Sequence, residues 1–137
     1  MPEVHEGGCL CGALRYRASG PPMRATVCHC TFCQRVSGSA FGLWVTYRKQ
    51  DVAISGQFST YEHRSDESGR WIKMEFCPRC GTNIGATFER SPELRSQLGG
   101  TFDDTSWIGI TRHIWTRSAQ HWISIPGDLP RFEKQAV

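Results

Sequence analysis

The feature that most constrains the fold of this chain is its cysteine content, seven in 137 residues. The cysteines fall in three groups: Cys9 and Cys11; Cys28, Cys30 and Cys33; Cys77 and Cys80. No basic stretch at the N-terminus is followed by an apolar one, so the sequence predicts no secretory signal and a cytoplasmic protein. Disulfides are disfavoured there, and clustered cysteines more often bind metal or act chemically.

Composition and charge narrow the function classes. With 39% hydrophobic and 21% charged residues, the chain can fill one core, and we predict a single domain over residues 1–137. The longest apolar run, residues 40–45, is too short to span a membrane. The net charge is +3, but the arginines are scattered and form no basic tract, which argues against a nucleic-acid partner.

The periodicity predicts a mainly β, antiparallel fold with minor short helices. Strands are predicted where aromatic, β-branched and polar residues alternate, at 13–18, 41–47, 70–76, 83–88, 107–111 and 114 with 122–125. Two short helices are predicted at 31–37 and at 91–98, the latter with Ser91 as N-cap and Pro92 in its first turn.

The last cysteine pair has the spacing of a metal knuckle. In Cys77-Pro78-Arg79-Cys80, two intervening residues let both sulfurs point at one ion. A thioredoxin-type redox pair shares this spacing, but it requires a following helix, and a strand is predicted instead. Cys9 and Cys11 form a matching pair. The sequence therefore predicts a structural zinc site, with four ligands and no open position: Cys9, Cys11, Cys77 and Cys80.

The middle group supplies three thiolates and no fourth. Three protein ligands with one exchangeable position is the pattern of a catalytic zinc, so Cys28, Cys30 and Cys33 are predicted to hold a second Zn²⁺ in an open site. Two alternatives stay open: a histidine closes the site, or the cysteines hold an iron–sulfur cluster. The candidate histidines are His29, His63, His113 and His121.

Taken in order, the motifs resemble the glutathione-dependent formaldehyde-activating enzyme family (centromere protein V-like). The resemblance is carried by GCLCGA at 8–13 with Arg15 and Tyr16, CHCTFCQR at 28–35 with SGSAF at 37–41, SGR at 68–70, FCPRCGT at 76–82, Asp103-Asp104, His113-Ile114 and Trp122. It implies a small zinc-stapled β-tent and the same four-plus-three division of the cysteines.

The resemblance also implies an activity. The family is named for joining glutathione to formaldehyde as S-hydroxymethylglutathione, a carbon–sulfur lyase reaction in reverse. We therefore predict a zinc-dependent lyase-type enzyme acting on an adduct of a small thiol with an aldehyde. Arg35 is the candidate for binding a substrate carboxylate, and His29 is either an acid–base group or a solvent-facing spacer. The alternative is a non-catalytic binding module in which both zinc sites are structural.

Overall fold

The computed structural model describes residues 3–136, so the two ends of the predicted domain lie outside the described residues. The strands are β1 (Val4–Gly8), β2 (Arg15–Ser19), β3 (Arg24–Cys28), β4 (Gly42–Arg48), β5 (Val52–Ser55), β6 (Ser59–Arg64), β7 (Trp71–Phe76), β8 (Asn83–Phe88), β9 (Leu94–Leu98) and β10 (Arg112–Ile114). One α-helix, α1 (Thr31–Ser37), and three 3₁₀ turns, Lys49–Asp51, Gly99–Thr101 and Thr116–Ser118, complete the elements of the described part of the chain.

The strands form two sheets. The smaller sheet has the order β1-β2-β5, and the larger has the order β10-β3-β4-β9-β8-β7-β6. Neighbours pair antiparallel except β10, which lies parallel to β3. The mainly β fold class is therefore confirmed.

A core cluster packs on each face of the larger sheet. On one face, Ala25, Val45 and Ile84 form a core cluster with Tyr16 and Ala18 of the smaller sheet. On the other face lies a second cluster that includes two of the cysteines, packed beside α1 and the C-terminal segment: Cys28, Cys33, Trp44, Met74, Ala86, Ile114 and Ala136. The middle cysteines thus belong to the face turned away from the smaller sheet.

The predicted helix at 31–37 is confirmed with its bounds. Its N-cap is Cys30, whose sulfur accepts a hydrogen bond from the backbone N–H of Cys33 at 3.3 Å. The helix ends at Gly38, which has a left-handed φ of 64° and donates its N–H to the carbonyl of Gln34. A glycine is favoured there because it has no Cβ to clash in that conformation.

The predicted helix at 91–98 is wrong. Leu94–Leu98 is strand β9, four of its five residues are buried, and it pairs with β4 on one side and β8 on the other. The Ser-Pro signal belongs to the preceding turn, where the N–H of Leu94 bonds to the carbonyl of Ser91 at 3.0 Å. A central strand gains its stability from two neighbours, which a local capping signal does not report.

The strand predicted at 107–111 is also wrong, and the one predicted at 114 with 122–125 is right only at Ile114, the last residue of β10. Residues 107–111 and 122–125 are irregular, and the strand in this region is β10. The predicted strands near β2, β4, β7 and β8 are confirmed. No helix among residues 3–136 has the length and apolar character needed to cross a bilayer.

A buried ion pair connects β7 to β9 within the larger sheet. The Arg95 guanidinium donates to the carboxylate of Glu75 and, at 2.8 Å, to the side-chain oxygen of Gln97. Both charged side chains are only 7% exposed. Removing one partner of such a pair leaves a buried charge without compensation.

We expect Glu75→Gln to lower the free energy of unfolding by about 3–5 kcal/mol, because Arg95 would keep its charge in the interior. Urea denaturation followed by circular dichroism measures the change. Glu62→Gln is the matched control, since the Glu62 side chain is 48% exposed beside Arg64 and such surface pairs contribute about 0–1 kcal/mol. Equal effects of the two substitutions would contradict the prediction.

Candidate metal centres and cavity

The structure brings the first and third cysteine groups together. The sulfurs of Cys9, Cys11, Cys77 and Cys80 all lie within 4.8 Å of one another. Cys11 Sγ is 3.6 Å from Cys9 Sγ and 3.8 Å from Cys77 Sγ. Disulfides have S–S lengths of about 2 Å, whereas Zn–S bonds of about 2.3 Å in a tetrahedron place sulfurs about 3.8 Å apart. The four sulfurs therefore fit one tetrahedral zinc ion.

Two loops of similar geometry position these sulfurs. In the β1–β2 loop the N–H of Cys9 bonds to the carbonyl of Leu14, and in the β7–β8 loop the N–H of Cys77 bonds to that of Thr82, at 2.9 and 3.0 Å. The glycine after the second cysteine of each loop has φ near +80°. Each loop thus turns back on itself and brings its two sulfurs close to those of the other loop.

Hydrogen bonds stabilise the thiolate form of Cys80 in this cluster. The hydroxyl and backbone of Thr82 lower the pKa of Cys80 to about 5. The same hydroxyl, 3.3 Å from Cys80 Sγ, accepts the N–H of Leu10 at 3.1 Å and so joins the two loops. Thiolates are the form that binds metal.

The middle cysteines converge on a second point. Cys28 is the last residue of β3, Cys30 caps α1, and Cys33 lies within α1. Their sulfurs also lie within 4.8 Å of one another. Trp44 of β4 donates its indole N–H to Cys33 Sγ at 3.3 Å. The turn from strand to helix therefore gathers three sulfurs from six residues of chain.

The three thiols share protons unequally. Hydrogen bonds from the Cys28 and Cys33 thiols lower the pKa of Cys30 to about 3. The hydrogen bond between Cys28 and Cys30 raises the pKa of Cys28 to about 12. The cluster thus carries negative charge at neutral pH, which suits it to a soft or borderline cation such as Zn²⁺.

No fourth ligand atom joins this cluster. Among residues 3–136, no imidazole nitrogen or carboxylate oxygen lies within 4.8 Å of all three sulfurs. His29 is fully buried, with its Nε2 atom 3.0 Å from Nδ1 of His113. The interpretation of His29 as a solvent-facing spacer is therefore wrong. His63 stacks on Phe32 with ring centroids 4.6 Å apart, and His121 is exposed.

A cavity of about 980 Å³ opens over the three-cysteine cluster. Residues of β3, β4 and β6 through β10 line it, together with the segments at 65–68 and 134–136. All three cysteines line it together with the aromatic side chains Phe32, Trp44, Trp71, Phe88 and Trp115. It also contains four guanidinium groups, those of Arg24, Arg70, Arg90 and Arg112. The chain thus places a sulfur cluster, apolar walls and positive charge in one space.

Comparison with known proteins identifies the family. The family model described as glutathione-dependent formaldehyde-activating enzyme matches residues 4–118. The chain belongs to this family. The match spans both cysteine clusters and all ten strands.

Two relatives and one solved structure agree with membership of the formaldehyde-activating family. A Halomonas elongata protein, whose name carries the words "glutathione-dependent formaldehyde-activating enzyme", is 25% identical over 88% of this chain and 80% of its own. A Schizosaccharomyces pombe protein named an uncharacterized lyase is 30% identical over 61% and 57%. A Rhodobacter sphaeroides crystal structure matches with a TM-score of 0.55 and 18% identity, over 92% of this chain and 98% of that one, and shows the shared fold.

In this member of the formaldehyde-activating family, the structure places Arg35 on the exposed side of α1, and Arg35 is not among the residues that line the cavity. Its predicted contact with substrate stays a prediction. Sequence reasoning missed Arg24 and Arg112. The available signal was the alternation of Arg24, Thr26 and Cys28, which a strand places on one face.

Proposed function

We propose that this protein is a zinc-dependent enzyme that joins glutathione, or a similar small thiol, to an aldehyde such as formaldehyde, and also catalyses the reverse carbon–sulfur cleavage. The observation that carries the proposal is the three-sulfur cluster, which faces the cavity and has no fourth ligand among residues 3–136. Family membership and a relative named as a lyase support enzyme activity of this class. We place the reaction in the cytoplasm, where seven free cysteines suit a reducing compartment.

The residues present fit two zinc ions. The ligands proposed for the structural ion are Cys9, Cys11, Cys77 and Cys80, and those for the catalytic ion are Cys28, Cys30 and Cys33. Zinc held by three thiolates would have a single net negative charge, would be a weak Lewis acid, and would favour a substrate thiol in its nucleophilic thiolate form at the open position.

The reaction balances without an oxidant or reductant. The thiol loses its proton, the sulfur lone pair forms a bond to the aldehyde carbon, and the carbonyl π electrons move to the oxygen, which takes a proton. The product is a thiohemiacetal, and cleavage reverses each change. Holding both reactants in one cavity supplies a proximity effect worth up to several kcal/mol.

We assign the protein two further contributions, proton transfer by a histidine and an apolar surface beside the cluster. His63 is the imidazole that lines the cavity within the described residues 3–136, and its ring packs on Phe32 beside the cluster. We assign it the transfer of the proton from the thiol to the aldehyde oxygen. Trp44, Phe88 and Ile114 form an apolar surface next to the sulfurs. This surface lowers the polarity of the surroundings of the reacting carbon.

The alternative of a purely structural second site needs a ligand from the protein to close it. Residues 3–136 bring no such atom to the three sulfurs. The site as described therefore favours a ligand that enters through the cavity.

Adduct exchange tests the proposed function. With the zinc-loaded protein, we expect exchange of formaldehyde between glutathione and its hydroxymethyl adduct, followed by NMR, to exceed the rate without protein. With cobalt in the second site, added glutathione should change the visible spectrum, whereas S-methylglutathione, which has no thiol to donate, should not. An exchange rate equal to that without protein would overturn the proposed function.

A further inference from the structure

In the described part of the chain, none of the four arginines that line the cavity has a carboxylate partner. Arg24, Arg70, Arg90 and Arg112 all lie more than 4.0 Å from every acidic oxygen of residues 3–136, and Arg24 and Arg90 are the two whose charges act on Arg112. Two acidic residues, Asp66 and Glu67, also line the cavity. Glu67 forms an ion pair with Lys134 at 3.1 Å, and Asp66 pairs with none of the cavity arginines. Positive charge without a protein partner, inside a cavity, calls for an anionic ligand.

The strand register places two of these arginines in line with the cysteines. Arg24 and Cys28 occupy alternate positions on the same face of β3, and Arg112 of β10 pairs with Thr26, midway between them. At a rise of about 3.3 Å per residue, Arg112 lies about 7 Å and Arg24 about 13 Å along the strand from Cys28. An extended tripeptide spans about 10 Å. A ligand of that size covers the distance from Cys28 to Arg112, and the length of the Arg24 side chain has to supply the remaining distance to Arg24.

Arg112 is held in position by a hydrogen bond. Its Nε atom donates to the hydroxyl of Thr26 at 3.0 Å, while its two terminal nitrogens have no acceptor among residues 3–136. Burial, followed by the positive charges of Arg24 and Arg90, lowers the pKa of Arg112. The three guanidiniums thus repel one another in the free protein, and an anion between them would relieve that repulsion. A fixed guanidinium can bind a carboxylate through two parallel hydrogen bonds.

We propose that Arg24, Arg90 and Arg112 form a carboxylate-binding subsite, which selects thiols that carry a carboxylate several ångströms from the sulfur. The inference rests on the proposed function for the thiol end of the cavity. It replaces Arg35 with residues that line the cavity as the groups that recognise substrate charge.

The subsite is tested with S-methylglutathione, which keeps both carboxylates but cannot act as a thiol. We expect Arg112→Gln and Arg24→Gln each to weaken its binding about 10- to 100-fold in calorimetry, the range for a charged hydrogen-bonded contact. The affinity of Arg112→Lys should lie between those of Arg112→Gln and the natural protein, because lysine keeps the positive charge but cannot make the two parallel hydrogen bonds of a guanidinium. Arg48→Gln is the matched control, an exposed arginine outside the cavity, and should change the affinity less than twofold.

The outcomes separate this inference from the proposed function. Glutathione with both carboxylates esterified should bind weakly and be insensitive to Arg112→Gln. If S-methylglutathione binds the arginine variants, confirmed as folded by circular dichroism, as tightly as the natural protein, the subsite is wrong even where adduct exchange is catalysed. If the arginines are needed for binding but exchange is not accelerated, the subsite stands and the proposed function fails.

Discussion

Replacing Cys30 by serine is expected to lower the rate of adduct exchange more than about 100-fold while the protein stays folded. Substituting a residue that hydrogen-bonds to a metal ligand already lowers metal affinity or activity about 10- to 100-fold. Loss of a direct ligand should therefore have a larger effect. The substitution leaves two sulfurs, Cys28 and Cys33, where three converge. Metal analysis should find one zinc ion per chain instead of two.

The fold should survive this change because serine can take over the local role of Cys30. The Cys30 sulfur caps α1 by accepting the N–H of Cys33, and serine is among the residues preferred at that position. The four-cysteine cluster is untouched. Thermal unfolding should therefore shift by only a few degrees, as expected for about 1 kcal/mol.

The control is Ser39→Ala, which alters an exposed residue next to the helix and outside the cavity. Its exchange rate should match that of the natural protein. Exchange at the natural rate by Cys30→Ser would contradict the assignment of this cluster as the reactive centre.

The three cysteine groups were predictable from sequence because short spacing constrains which neighbouring sulfurs can share an ion. Two residues between Cys77 and Cys80 leave little freedom, and three cysteines in six residues leave less. The helix at 31–37 was predictable for a similar reason, since its end at Gly38 is a local signal. Both features depend on residues that are close together in the sequence, so the sequence alone is enough to predict them.

The cavity charge and strand β9 could not be predicted in the same way. Arg24 and Arg112 are 88 residues apart and become neighbours only through the parallel pairing of β10 with β3. Leu94–Leu98 becomes a strand because β4 and β8 flank it, in spite of the helix-start signal before it. Both features depend on long-range pairing, and a single sequence does not specify which strands pair.

A second large effect, on folding, is expected from a substitution in the four-cysteine cluster. Cys77→Ser should leave the protein largely unfolded at 37 °C, because Cys77 is 1% exposed and its sulfur lies with those of the β1–β2 loop. Structural zinc sites contribute about 10–16 kcal/mol in small domains, against a total stability of about 5–15 kcal/mol. Loss of one of the four ligands should therefore remove most of the free energy that keeps the protein folded.

The topology is the reason that we expect this cluster, and not the three-cysteine one, to decide stability. It joins the loop between β1 and β2 of the smaller sheet to the loop between β7 and β8 of the larger one. Cys11 and Cys77 are 66 positions apart, and closing a loop of that length restricts the unfolded chain by about 4 kcal/mol. The three-cysteine cluster closes only a short loop at the end of β3, so its metal constrains far less of the chain.

Cys30→Ser is the matched comparison, the same substitution at the other cluster. Circular dichroism and limited proteolysis should show Cys77→Ser unfolded and Cys30→Ser folded, and a zinc chelator should bring the natural protein to the state of Cys77→Ser. If Cys77→Ser instead keeps the melting temperature of the natural protein, the four cysteines do not hold the two sheets together. The sheets would then depend on the apolar cluster between them, in which Tyr16, Val45 and Ile84 are nearly fully buried.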